Sequence, residues 1–347
     1  MSERAGTIPA AYRELTKPRL SLLSVFSALA GYFCSAPRQP TDFKIIATLA
    51  IGTALAAGGC GAINMWWESD ADAKMERTRH RPIPAGLIKP GAALLFGMLL
   101  LASGILIVWD GCNALAGALT AATAISYLFL YTPLKTMTSW CTLVGSLPGA
   151  IPPIIGTAAK LGRIDEMGWL LFALLFFWQV PHFMALAVLW REDYARGGFK
   201  ISTVQDPTGR SAALWALAFI IPMQVVAGKI AGGFFAADCP ASLQGWSSPF
   251  VWISFLAGAW FFKLCLDFCL PQRRPAVAKP LFIASILYLP VVLLTLDRPR
   301  TPSGRRRLRP VNHATPRMET SQSGLSLRGL WRRTIHGIAT ADRSSGR

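Results

Sequence analysis

Long apolar runs alternate with short polar loops along this chain, and that alternation restricts it to one class of fold. The runs lie near 19–37, 44–64, 91–110, 113–131, 140–159, 167–190, 211–232, 249–269 and 278–296. Each approaches the roughly 20 residues that a helix needs to cross a bilayer. Charged residues make up only 15% of the 347 residues, against about 25% in a soluble domain. Inside lipid, a lone segment satisfies its own backbone only as a helix. The expected architecture is therefore all-α: a multi-pass membrane protein with about nine transmembrane helices. Residues 1–296 form the membrane domain. Residues 297–347, rich in Arg, Ser, Pro and Gly, form a basic tail whose composition reads as disordered.

The net charge of +17 divides unevenly. The tail holds twelve Arg and three acids, which leaves about half of the excess for the body. In the body the basic residues sit in loops between apolar runs, so they report orientation rather than binding to nucleic acid. With the N-terminus cytoplasmic, seventeen Lys and Arg fall in inside loops and four in outside loops. The 64–90, 131–139 and 191–210 loops then share the cytoplasmic face. Nine crossings place the Arg-rich tail on the opposite face, in conflict with the same rule. The seven cysteines show no Cys-x-x-Cys pair and read as small core residues.

Asn64-Met-Trp-Trp-Glu68-Ser-Asp70-Ala-Asp72 ends the second run, and Arg77, Arg79 and Arg81 follow it. Spacing of four puts Asn64, Glu68 and Asp72 on one helix face, and Asp70 points elsewhere by phase. Like charges four apart repel unless a cation lies between them. Hard oxygen ligands beside guanidinium groups suit Mg2+ holding a diphosphate. Asn64, Glu68 and Asp72 are the expected metal ligands. Arg77, Arg81 and Lys135 are expected to stabilise the charge of the leaving diphosphate.

A second polar loop, from Trp190 to Gly198, carries Glu192, Asp193, Tyr194 and Arg196 on the same face of the membrane. Glu192 and Asp193 would complete a two-ion clamp on a diphosphate if they held a second metal. Tyr131 and Lys135 close the fourth run on that face and are placed to touch a phosphate. His182 lies within an apolar run, where a polar residue is costly, and reads as a haem-iron ligand or a proton carrier. Pro148, Pro152 and Pro153 in the fifth run should kink or open that helix.

Taken together, these stretches resemble the protoheme IX farnesyltransferase family, within the UbiA-type superfamily of intramembrane prenyltransferases. The similarity spans about residues 10–296. It is carried by Lys17-Pro18-Arg19, the Asn64–Pro84 segment, Tyr131-Thr132-Pro-Leu-Lys135, Gly149-Ala-Ile-Pro152-Pro153, Trp178-Gln-Val-Pro181-His182-Phe183 and Asp193-Tyr194. Glu68 stands where the broad superfamily pattern has Asp. The second acidic motif of other members is replaced by the His182-Phe183 region, which leaves a second ion open. The resemblance implies nine helices around a central cavity open to lipid, with Mg2+ as cofactor. It further implies transfer of farnesyl from farnesyl diphosphate to a vinyl group of haem B, with water added, to give haem O. Tyr131, His182, Glu192, Asp193, Tyr194 and Arg196 are then candidate substrate contacts. Farnesyl diphosphate, haem B and the lipid bilayer are the implied partners, with a downstream haem A synthase as a candidate. The implied location is a bacterial inner membrane, or the mitochondrial inner membrane in a eukaryote.

Three rivals remain in view. A quinone-precursor polyprenyltransferase shares the first motif but should lack Pro181-His182-Phe183. A secondary transporter would place ionisable groups at mid-membrane, whereas here they gather at one surface. A haem-handling protein without catalysis has no need of Asn64, Glu68 and Asp72.

Overall fold

A computed structural model describes residues 7–35, 40–236 and 249–296. These described residues are helical, with no strand among them. The spans, in order, are Pro18–Cys34, Phe43–Trp67, Pro90–Gly111, Ala114–Leu134, Cys141–Leu161, Glu166–Leu189, Arg210–Ala236, Pro249–Cys269 and Arg274–Leu296. The first is the shortest at 17 residues; the others are long and apolar enough to cross a membrane. The protein is thus a multi-span membrane protein, and nine apolar helices stand among the described residues where nine were expected. Short helices, Ser69–Lys74, Arg191–Arg196 and Ser202–Gln205, lie in the loops after the second and sixth spans. The tail 297–347 and Cys239 lie outside the described residues.

Outward faces are rich in large apolar side chains such as Leu22, Leu99 and Phe129, as lipid requires. Inward faces use small residues, because helices in lipid gain mainly from close packing. The tightest approach joins the first and fifth spans. A Cβ added to Gly156 would sit 1.8 Å from the Ala28 carbonyl oxygen. Gly156→Ala is expected to destabilise the protein by about 2 kcal/mol or more, since backbone must move. Gly91→Ala, where nothing lies within 4 Å, is the control for thermal unfolding in detergent.

The fifth span breaks at Ile151 into Cys141–Ala150 and Pro152–Leu161. Pro152 and Pro153 lack the N–H groups that would continue the ladder, so the hydrogen-bond ladder is interrupted there, with Ile151 itself still at φ −68° and ψ −33°. The fourth span contains a π turn over Ser126–Tyr131. The wider turn changes the facing of Tyr131 and of Lys135 beyond it. Beneath the loops, Met75, Cys141, Ala187, Phe199 and Ile201 form a small apolar cluster. It gives the polar loops a floor on which fixed side-chain positions can be built.

The outer face is tied separately. Ser35 bonds Thr157 at 2.9 Å and Asp165 at 3.1 Å, and Asn113 donates to the Ala158 carbonyl at 2.8 Å. The opposite face gathers the loops after the second, fourth and sixth spans, and the chemistry lies there.

Candidate active site

Asn64 occupies the last turn of the second span, and Glu68 caps it with φ −94° and ψ 9°. The chain leaves strict helical geometry there, yet the i to i+4 bonds continue: Glu68 N–H to Asn64 O at 3.0 Å and Asp72 N–H to Glu68 O at 2.8 Å. The three side chains therefore stay on one face. All are buried, at 1%, 8% and 0% exposure. Asp70 is exposed and turned away.

Each of the three oxygen-bearing side chains has its own cation. Lys17 Nζ donates to Asn64 Oδ1 at 2.5 Å. Lys135 Nζ lies 2.6 Å from Glu68 Oε1. Arg81 Nη1 lies 2.6 Å from Asp72 Oδ2. Asn64 is further oriented by donating Nδ2–H to Thr132 Oγ1 at 3.3 Å, and Thr78 Oγ1 donates to the Asp72 carbonyl at 3.0 Å. Asn64, Glu68, Asp72 and their three cations line a cavity of about 140 Å³ that also takes in Arg77, Tyr131 and Tyr194. Lys135 sits 4.4 Å above the Tyr131 ring, and the Arg77 guanidinium 5.7 Å from the Trp190 ring centre.

Two carboxylates face Lys17, Arg77, Arg81 and Lys135, so the cavity carries excess positive charge. Burial, reinforced by Arg81, pushes the Lys17 amine down to about 7. Burial alone would raise the Glu68 carboxyl, but the charges of Lys135 and Lys17 hold it below its ordinary value. Burial would lower Lys135, and Glu68 more than offsets that and raises it. A diphosphate entering the cavity would raise Lys17 again, so binding above pH 7 should take up a proton. Calorimetry in buffers of differing ionisation enthalpy reads that uptake directly, and Lys17→Met should remove it. The free protein should also become more stable as pH rises from about 7 towards the ordinary lysine value of about 10.4, because the unfolded chain binds the extra proton there.

Lys17 was not among the expected site residues. The residue before a proline is disfavoured in helical conformation, and here it adopts φ 46°, the single positive φ outside glycine among the described residues. Such a conformation costs about 1–3 kcal/mol, and in this protein it aims an amine at Asn64. The Lys17-Pro18-Arg19 signature was the available signal.

The second loop differs from expectation. Asp193 is 4% exposed, and both its oxygens accept backbone N–H groups, from Glu76 at 3.1 Å and Arg77 at 3.2 Å. Arg196 adds a bond at 2.8 Å. Asp193 is thus a clamp holding the Arg77–Arg81 loop, not an open ligand for a second ion. Helical phase turns its neighbour Glu192 outward, to an exposed position. Glu192 and Arg196 instead line a separate cavity of about 610 Å³ with Arg191 and Arg274. Asn64, Glu68 and Asp72 do not line it.

Among the described residues no three His, Cys, Asp or Glu side chains gather around one point. The donor set at the small cavity is an amide and two carboxylates. One observation fits a cation there: Asp72 Oδ1 is buried and has no hydrogen-bond partner. An orphaned carboxylate oxygen beside a second carboxylate is a costly arrangement unless something positive completes it.

The polar cavity adjoins a larger one of about 350 Å³ at membrane level. Lys17, Tyr127, Tyr131 and Phe183 line both. The larger cavity is walled by the first, second, fourth, fifth and sixth spans, and His182, Trp178 and Gly149 line it. Leu20 and Leu23 at its edge are exposed, so it opens towards lipid.

The profile of the UbiA prenyltransferase family matches residues 24–286. A protoheme IX farnesyltransferase of Opitutus terrae is 42% identical over 290 residues, covering 83% of this chain and 94% of its own length. The mitochondrial protoheme IX farnesyltransferase of Arabidopsis thaliana is 35% identical, covering 81% of this chain and 63% of its own. Among solved structures, a digeranylgeranylglyceryl phosphate synthase superposes with TM-score 0.66 at 14% identity, covering 83% of this chain and 97% of the other. A UbiA homologue from Archaeoglobus fulgidus bound to GPP and Mg2+ gives 0.55 at 15% identity, over 83% and 100%. At such identities the structures show the shared fold alone. Sequence identity, family profile and fold agree: this chain belongs to the UbiA prenyltransferase family, among the protoheme IX farnesyltransferases.

Proposed function

We propose that this protein transfers the farnesyl group of farnesyl diphosphate to a vinyl group of haem B, giving haem O and diphosphate. The single observation that carries this is the adjacency of two unlike cavities. A small, positively charged chamber with two acids shares Lys17, Tyr127, Tyr131 and Phe183 with a larger apolar chamber at membrane level. A prenyl diphosphate is an anion attached to an apolar chain and matches that pair.

Arg77, Arg81, Lys17 and Lys135 bind the diphosphate and stabilise the charge that grows as the allylic C–O bond breaks. The cationic groups are fixed beforehand by Asp193, Asp72, Asn64 and Glu68, so little reorganisation accompanies the reaction. Asn64, Glu68 and Asp72 would hold Mg2+, whose chemistry there is to neutralise the departing diphosphate. The apolar walls keep water from the farnesyl cation until the terminal vinyl carbon attacks its C1. The new cation, beside the porphyrin ring, takes up water and loses a proton, leaving the hydroxyethylfarnesyl group. Tyr131 and Tyr194 contact the substrate at the polar end, and His182 at the apolar end.

The positive loops support a cytoplasmic face for the polar chamber, and the proposed location is a bacterial inner membrane. Product formed in the membrane cavity leaves into lipid, which suits handover to a haem A synthase. The test is direct. Purified protein given haem B, farnesyl diphosphate and Mg2+ should yield a pigment heavier by a farnesyl group and a hydroxyl group. Prenylation of 4-hydroxybenzoate in place of haem overturns the assignment.

A further inference from the structure

The sixth and ninth spans are tied by a hydrogen-bond arrangement behind His182, and the transfer chemistry above leaves its role open. Ser285, fully buried on the ninth span, donates its hydroxyl proton to the Phe282 carbonyl at 2.6 Å. Its backbone carbonyl accepts from Trp178 Nε1 at 2.7 Å. His182 Nδ1 lies 2.8 Å from the same Ser285 Oγ. A hydroxyl has one proton, and we assign it to the shorter of the two contacts, the one to the Phe282 carbonyl. With that assignment the serine oxygen accepts from His182, Nδ1 carries the imidazole proton and Nε2 keeps its lone pair.

The ring cannot easily turn away from this arrangement. It stacks on Trp178 at 4.9 Å and 23°, and packs against Phe282 at 4.9 Å. Trp178 and His182 are four residues apart on one helix face, and Ser285 bonds both. Nε2 has no partner among the described residues, and His182 lines the membrane-level cavity. The other described histidine, His80, is exposed in a loop. An imidazole held through Nδ1–H with Nε2 free is the arrangement that metal-ligating histidines use, where the outer hydrogen bond fixes the tautomer and the ring direction.

We infer that His182 Nε2 is an axial ligand to the iron of the haem acceptor, with Ser285 as the residue that positions it. The inference rests on the transferase reading above. Iron ligation would anchor the porphyrin centre beside the sixth span, so that one vinyl edge is presented to the diphosphate chamber. No bond to carbon is made or broken by this contact; the histidine supplies an electron pair and the iron accepts it. A serine that only joined two helices would serve stability alone, and would leave the spectrum of bound haem unchanged.

The experiment uses the full chain in lipid nanodiscs with ferrous haem B and no farnesyl diphosphate, read by resonance Raman. The wild-type complex should show an iron–histidine stretching band. His182→Gly should lose the band, and added imidazole should restore it. Ser285→Ala should keep haem bound but about tenfold more weakly. Its band should move to lower frequency, because the Nδ1 hydrogen bond that strengthens the ligand is gone. The inference is overturned if wild-type protein binds haem and makes haem O without that band. Persistence of the band in His182→Gly overturns it equally, as does an unmoved band in Ser285→Ala. Failure of wild-type protein to bind haem or make haem O sinks the transferase reading itself, and the ligation inference with it.

Discussion

Asp72→Asn is expected to lower kcat by about a thousandfold or more, roughly 4 kcal/mol of transition-state stabilisation. The change is isosteric, so the cavity keeps its volume. What disappears is the carboxylate charge that Arg81 pairs with at 2.6 Å, and one of the two oxygens, of which the unpartnered Oδ1 is free to meet a cation. Stability should also fall, because Arg81 loses its counter-charge. Breaking a fully buried pair costs about 3–5 kcal/mol; the Arg81 side chain is 20% exposed, so about 1–3 kcal/mol is expected. Turnover at saturating farnesyl diphosphate, measured beside a thermal unfolding midpoint, separates the two effects. A folded Asp72→Asn protein with near-normal kcat would remove the proposed ligand set.

Asp193→Ala should be the next most damaging change, by a different route. It strips the acceptor from two backbone N–H groups and from Arg196. Unsatisfied buried donors cost about 1–3 kcal/mol each. The freed loop carries Arg77 and Arg81 out of position, and a displacement of about 1 Å in such groups can cost a hundredfold in rate. Because Asp193 is a clamp here, the Mg2+ concentration giving half-maximal rate should stay put while kcat drops. A marked shift in that Mg2+ requirement would instead return Asp193 to the role of a second ion's ligand. Asp193 also adds an acid-side sensitivity. Burial alone would raise its carboxyl, but the Arg77 and Glu76 N–H groups and Arg196 hold it low. Its contribution is complete above the ordinary aspartate value and fades as pH falls through the lowered one.

Much of the fold was legible because membrane helices obey local rules. Apolar length marks the spans, loop charge marks the sides, and proline marks the break at Ile151. The π turn at Ser126–Tyr131 had no clear signature, since it depends on how Pro133 and the neighbouring spans share hydrogen bonds. In the site, four-residue spacing correctly grouped Asn64, Glu68 and Asp72 and excluded Asp70, because helical phase belongs to the backbone. Adjacency misled at Glu192 and Asp193. Two neighbouring acids look like a pair in sequence, yet on a helix they point about 100° apart. Asp193 turns inward to the loop and Glu192 turns out.

The chain's own order of residues determined the number of spans, the face on which the polar loops meet, and the one helix end that gathers three oxygen-bearing side chains. These are consequences of solvation and of backbone geometry over a few residues. Tertiary structure alone decided which cation meets which side-chain oxygen. Lys17 lies 47 residues from Asn64, Lys135 lies 67 from Glu68, and Ser285 lies 103 from His182. Charge pairing and proton placement depend on distances of a few ångströms across the bundle, and only the packing of small residues between spans sets those.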